Sequence, residues 1–248
     1  MAKDARGWRC KFAVVAPSTN TIVQPDMDDF RVKGVTNHFG RIYVPSMKVG
    51  DDEEFLALVE AIGATLYDAV DRCSTAEPDY LIMGMSALMF WDGRAASEKR
   101  MQELSDHCGL TVSAGSFACE AALNLTGAKR IAVISPYFPI SDKNVTRFFQ
   151  DCGFDVVRFR GLKCPSPVAI AQVQPDELRA HITEMDGDDV DAFVQVGTNL
   201  SMCSLCVDLE KEYGKPFIAI NAATYWHALR AMGIKDQFAG HGPLFEKH

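Results

Sequence analysis

Short, uninterrupted apolar runs recur along this chain, each ending in a turn of glycine, serine or proline and followed by a stretch of helical periodicity. That alternation predicts parallel strands buried on both faces, with helices packed over them. The run from Ala192 to Val196 ends at Gly197-Thr198-Asn199, and a helix is predicted from Leu200 to Tyr213. Tyr80 to Met83 does the same, running into Gly84-Met85-Ser86 with a helix beyond Asp92. Two further pairs match: Phe12–Ala16 before Pro17-Ser18 with Ile131–Ser135 before Pro136-Tyr137, and Leu110–Ala114 with Pro216–Asn221. Three matched strand ends in the same order predict an internal duplication.

The remaining elements follow from the same pattern. A second strand is expected at Gly40 to Pro45, and a helix from Asp51 to Ala76 with Leu56, Val59, Ile62, Leu66 and Val70 on one face. Further helices are expected at Arg94–Cys108, at Phe117–Leu125, from a cap at Asp142 to Gln150, and from Asp176 to Met185. Gly127 and Ala128 form the hinge between halves. The architecture expected is α/β with two lobes, each a four-stranded, mainly parallel sheet flanked by helices, and a cleft between them. The first lobe takes residues 1–115 plus 221–248 and the second takes 116–220.

Composition narrows the function classes. The chain has 248 residues, 48% of them apolar, enough for one large core or two moderate ones. A formal charge of −8, with no run of Lys or Arg, argues against a nucleic-acid partner. No apolar stretch is long enough for a membrane helix, and Met1–Cys10 lacks the apolar segment of a signal peptide, so a cytoplasmic protein is expected. Eight scattered cysteines fit reduced thiols used as small apolar residues. Cys203 and Cys206 form a C-x-x-C that falls inside the predicted helix, with no further ligands spaced for zinc. No metal is expected.

Candidate chemistry sits at the carboxyl ends of the strands, where ligands gather in open α/β sheets. Ser18, Thr19 and Asn20 offer hydroxyl, amide and N–H donors suited to carboxylate or phosphate oxygens, or else form a polar turn that caps the next segment. Gly197, Thr198 and Asn199 occupy a second such edge, and Gly84, Met85 and Ser86 a third. The stretch Ala87-Leu88-Met89-Phe90-Trp91 is apolar enough to be core or the wall of a water-poor crevice.

These loops carry a resemblance. The chain resembles the maleate cis–trans isomerase branch of the aspartate/glutamate racemase superfamily and, more distantly, arylmalonate decarboxylase. Pro17-Ser18-Thr19-Asn20-Thr21 is similar to the isomerase's first substrate loop, Thr198-Asn199-Leu200 to the segment after its second catalytic cysteine, and Asn221–Leu229 to its last strand–helix junction. Met83-Gly84-Met85-Ser86 resembles the decarboxylase's dioxyanion loop, and Tyr137 falls where that family places a carboxylate-binding tyrosine. The resemblance implies two flavodoxin-like lobes related by a pseudo-twofold axis, a small carboxylate substrate, no organic cofactor and a homo-oligomer.

One departure changes what carries over. Members of the superfamily act with one or two cysteines facing the substrate, and here both positions read as glycine, Gly84 and Gly197. Neither racemisation nor cysteine addition transfers as it stands. The donors remain: Tyr137, Ser86 and Thr198 are the expected catalytic residues, with Ser18, Thr19, Asn20, Gly84, Met85, Gly197 and Asn199 binding substrate. Space is expected where the two sulfurs would stand. Glu120, Cys119 and His227 are other acid or base candidates, each also readable as a helix charge, a core thiol and a packed histidine. Three functions fit: an isomerase or lyase acting beside a carboxylate without a thiol, a hydrolase or hydratase using a bound water, and a non-catalytic carboxylate binder.

Overall fold

The computed structural model describes residues 4–248. The first half of the chain runs β1 (Cys10–Pro17), α1 (Val23–Asp29), β2 (Val35–Ile42), α2 (Asp52–Ser74), β3 (Tyr80–Met83), α3 (Gly93–Cys108), β4 (Val112–Ala114) and α4 (Gly115–Thr126). The second half runs β5 (Arg130–Ser135), α5 (Pro139–Asp151), β6 (Asp155–Gly161), α6 (Pro175–Met185), β7 (Ala192–Gln195), α7 (Cys203–Tyr213), β8 (Phe217–Ala219), α8 (Ile220–Ala231) and α9 (Pro243–Lys247).

The strands form two four-stranded sheets of order β2-β1-β3-β4 and β6-β5-β7-β8, with every pairing parallel. The repeated order is what a duplicated unit produces, and the two-lobed parallel α/β fold is the one read from the sequence. The central strands are apolar and buried, since helices cover both faces: every residue of β3 and β7 is buried. The edge strands β2 and β6 are different, although β4 and β8 at the opposite edges are buried throughout. β2 lies at Val35–Ile42, upstream of the expected Gly40–Pro45, and its Thr36, Asn37, His38 and Arg41 face partly outward. A half-exposed edge strand carries polar residues, so its apolar signal is weak.

Two helix details also differ from expectation. The buried face of α2 is Phe55, Leu58, Val59, Ile62, Leu66, Ala69, Val70 and Cys73, so Phe55 and Leu58 point inward where Leu56 was expected. Asp51 does cap α2, its carboxylate accepting the Glu54 N–H at 2.9 Å. Asp142 does not cap α5, which begins at Pro139. Its side chain turns instead to the Ser135 hydroxyl at 2.6 Å.

The helices that follow the last strand of each sheet, α4 and α8, pack on one another, and α8 also lies against α1, β3 and β4 of the first sheet. The C-terminal segment returns to the first half, where Phe245 stacks on Phe30 at 4.8 Å and Asp236 pairs with Arg9. Both sheets thus turn the carboxyl ends of their central strands toward a shared cleft, where the loops after β1, β3, β5 and β7 meet.

Candidate active site

Those four loops enclose a cavity of ≈ 60 Å³. Pro17, Thr19 and Asn20 arrive from the end of β1, and Met85, Ser86 and Ala87 from the end of β3. Tyr137 follows β5, and Gly197, Thr198 and Asn199 follow β7. An apolar wall closes the rest: Phe55, Leu58, Val59 and Ile62 from one face of α2, with Pro167 and Ile170 from the second half. None of the lining residues is Lys, Arg, His, Asp or Glu, and Tyr137 is the one ionisable side chain among them.

The polar side chains divide into two sets. Asn20, Thr198 and Asn199 join the two halves. Thr198 Oγ1 donates to the Gly84 carbonyl at 3.1 Å and accepts from Asn20 Nδ2 at 3.0 Å. Asn199 Oδ1 accepts the Thr21 N–H at 2.9 Å, and its Nδ2 donates to the Pro167 carbonyl at 2.9 Å. Asn20 Oδ1 takes the N–H groups of Ile22 and Val23, opening α1. The Thr198 proton is therefore spent on a structural bond between the halves, not held for a ligand.

Ser86 and Tyr137 form the second set. Their hydroxyls meet at 2.5 Å, both side chains are buried, and the Tyr137 ring packs on Phe55 at 5.4 Å. Burial pushes the Tyr137 phenol well above its usual range, and the Ser86 bond offsets this only in part. The phenol stays protonated near neutral pH and can donate. Backbone donors add to it: among the described residues, the N–H groups of Met85, Ser86, Thr198 and Asn199 meet no acceptor. The residues that carry these N–H groups, two adjacent ones from each half, line one cavity, a neutral set suited to one or two carboxylate oxygens or to an enediolate.

Tyr137 is held from behind. Its N–H donates to Ser135 Oγ at 3.2 Å, and Ser135 Oγ donates to Asp142 Oδ1 at 2.6 Å. Burial raises the Asp142 carboxyl to about 6; the Ser135 bond and Lys163 lower it, while Asp52 adds repulsion. Asp52, from α2, accepts the Ile140 N–H at 2.9 Å and ties the apolar wall to the start of α5.

Several expected site residues stand elsewhere. Ser18 does not line the cavity; its hydroxyl accepts the Val44 N–H at 3.0 Å beside the end of β2. Gly84 contributes its carbonyl to Thr198 but no lining atom. The space expected at the two glycines is not there. A Cβ on Gly84 would lie 3.0 Å from the Val15 carbonyl and 3.2 Å from Ala16 Cβ. One on Gly197 would lie 2.5 Å from Pro136 Cδ, and Gly197 sits at φ +103°, which side chains disfavour. The Gly197 turn thus disfavours a side chain through both its backbone and its space, whereas at Gly84 the neighbours would have to give by a few tenths of an ångström.

The other acid and base candidates lie outside the cavity. Glu120 pairs with Arg94 at 3.1 Å, Cys119 is fully buried in the core, and His227 meets the Ser113 hydroxyl at 3.1 Å with its pKa lowered by burial. Cys203 opens α7, one helix position where a thiol can be activated, but burial and the adjacent Asp26 push it well above its usual range. Sequence reasoning missed the α2 wall, whose only signal was that Phe55 and Leu58 extend the apolar face of an ordinary amphipathic helix. Among the described residues, no three His, Cys, Asp or Glu are grouped to hold a metal, and no helix is long and apolar enough to cross a membrane.

Comparisons with known proteins agree with this fold. The maleate isomerase of Pseudomonas putida is 27% identical over 93% of this chain and 94% of its own length. Among solved structures, the maleate cis–trans isomerase of Nocardia farcinica, in a variant with a covalently bound succinylcysteine intermediate, superposes with a TM-score of 0.87 at 18% identity. The match covers 96% of this chain and 99% of that one. A liganded double variant of arylmalonate decarboxylase gives 0.80 at 19% identity over 96% and 99%. At such identities the structures show a shared fold. The sequence model of arylmalonate decarboxylase matches residues 54–245, most of the chain, and the chain therefore belongs to that family, in the branch of the aspartate/glutamate racemase superfamily that also holds the maleate isomerases.

Proposed function

We propose that this protein is a lyase that decarboxylates a malonate-type diacid bearing an apolar substituent. The observation that carries the reading is the composition of the cavity: neutral donors from both halves on one side, an apolar wall on the other, and no thiol, imidazole or carboxylate between them. Thiol addition across a double bond, as a succinylcysteine intermediate implies for the Nocardia isomerase, needs a nucleophile that this cavity lacks.

Decarboxylation asks for less. One carboxylate seats among the N–H groups of Met85, Ser86, Thr198 and Asn199, while the other faces Leu58, Val59 and Ile62, where it is poorly solvated. The bond from Cα to that second carboxylate breaks, carbon dioxide leaves, and the electron pair passes to the retained carboxylate as an enediolate. Charge grows on the oxygens that the donors face, so the interaction strengthens in the transition state. Cα then takes a proton from the Tyr137 phenol, and water reprotonates the phenoxide through the mouth of the cavity. An apolar substituent on Cα lies against Phe55 and Ile170.

The test is a panel of methyl-, isopropyl- and phenylmalonate with maleate, followed by release of carbon dioxide and by formation of fumarate. Turnover of a substituted malonate with maleate untouched is the expected result. Conversion of maleate to fumarate, or ligand-induced stabilisation without any product, would replace the proposal with the isomerase or the binder.

A further inference from the structure

The 197–199 turn is braced from the side away from the cavity. Asn221, in the first turn of α8, is 1% exposed and does not line the cavity. Its Nδ2 donates to the Thr198 carbonyl at 2.9 Å and to Asp26 Oδ2 at 2.8 Å. Asp26, on α1, also accepts the Cys203 thiol at 3.2 Å. Three elements from opposite ends of the chain thus converge behind one peptide. Burial raises the Asp26 carboxyl, and its two donors lower it in part.

The geometry of that peptide gives the bracket a purpose. In a trans peptide the carbonyl of one residue is antiparallel to the N–H of the next, and this chain has no cis bond among its described residues. A donor that fixes the Thr198 carbonyl therefore aims the Asn199 N–H the opposite way, away from Asn221 and toward the cavity that Asn199 lines. Among the described residues, the other half has no such brace. Ser116 stands second in α4 as Asn221 stands second in α8, and its hydroxyl meets Ser97 at 3.3 Å rather than a peptide of the 84–86 turn.

We propose that Asn221 and Asp26 are positioning residues that hold the Thr198–Asn199 peptide in the orientation presenting the Asn199 N–H to a substrate carboxylate. The role rests on reading the cavity as a carboxylate site, so the test separates the two. Full-length protein labelled with ¹³C and ¹⁵N is compared as wild type, Asn221→Ala, Asp26→Leu and Asp26→Asn. In Asn221→Ala and Asp26→Leu, the Thr198 carbonyl and Asn199 amide resonances should shift or broaden while those of Met85 and Ser86 stay in place. Asp26→Asn should match wild type, because its amide oxygen still accepts from Asn221, and it keeps the test decisive if Asp26→Leu does not fold. Methylmalonate should bind about tenfold more weakly to Asn221→Ala and Asp26→Leu, the loss expected for one hydrogen bond to a charged group. Unchanged Thr198 and Asn199 resonances in Asn221→Ala would overturn the bracket. A wild type that ignores every carboxylate while those resonances do move would overturn the carboxylate role and leave the brace as purely structural.

Discussion

Tyr137 and Ser86 are the residues on which the proposed chemistry most depends, because Tyr137 is the one ionisable side chain lining the cavity and its hydroxyl meets that of Ser86. Removing one donor aimed at developing charge costs about 3 kcal/mol in the transition state, roughly a hundredfold in rate. Tyr137→Phe and Ser86→Ala should each lower kcat by about that factor with little change in Tm, measured by steady-state kinetics beside thermal unfolding. Cys203→Ser should be nearly silent, since serine still donates to Asp26. The glycines behave otherwise. Gly197→Cys, meant to restore a superfamily thiol, should cost about 1–3 kcal/mol in stability through the strained φ and the collision with Pro136, and should not yield an isomerase. A variant as stable as wild type would show that the turn adapts. Tyr137, Ser86, Asn20, Thr198 and Asn199 were all legible in the sequence as polar residues at strand ends. The division of labour among them was not, because it depends on which partner each side chain meets across the cleft.

Helix α2 serves as both core element and cavity wall, and its Asp52 ties it to the loop that carries Tyr137. The same loop is governed by Asp142, whose carboxyl is raised to about 6. A raised carboxyl favours the protonated form in the folded state. The stability it supports is complete below the unfolded value near 4, is lost as pH rises through about 6, and is flat above. Asp142→Asn should therefore be more stable than wild type at pH 7–8, by about 1–3 kcal/mol, and should converge with it near pH 4. Tm measured across that range decides, and a constant difference would rule out the titration. At this scale the long helices and central strands were legible from periodicity, whereas the bounds of β2 and the true start of α5 were not. An edge strand mixes polar with apolar positions, and an aspartate in a first helical turn reads as a cap until Pro139 is seen to start the helix.

The molecule as a whole is two copies of one α/β unit that meet at the candidate site, and each copy supplies what the other lacks. The first half brings α2 and the Met85–Ser86 donors; the second brings Tyr137 and the Thr198–Asn199 donors. Thr198, Asn199 and Asn20 lock the halves together at the floor of the site. The duplication was legible because three strand ends repeat in order. That the repeat closes around an apolar wall was not, because the wall comes from one face of a helix and from Pro167 and Ile170, far in sequence from the strand ends that carry the repeat. The most direct measurement is ¹³C and ¹H NMR of a substituted malonate incubated in deuterated water with wild type and with Tyr137→Phe. Loss of carbon dioxide with one deuterium at Cα, slowed about a hundredfold in Tyr137→Phe, is the predicted outcome. Turnover at the wild-type rate in Tyr137→Phe, combined with its loss in Cys203→Ser or Cys119→Ser, would contradict the account and identify a displaced thiol as the catalyst.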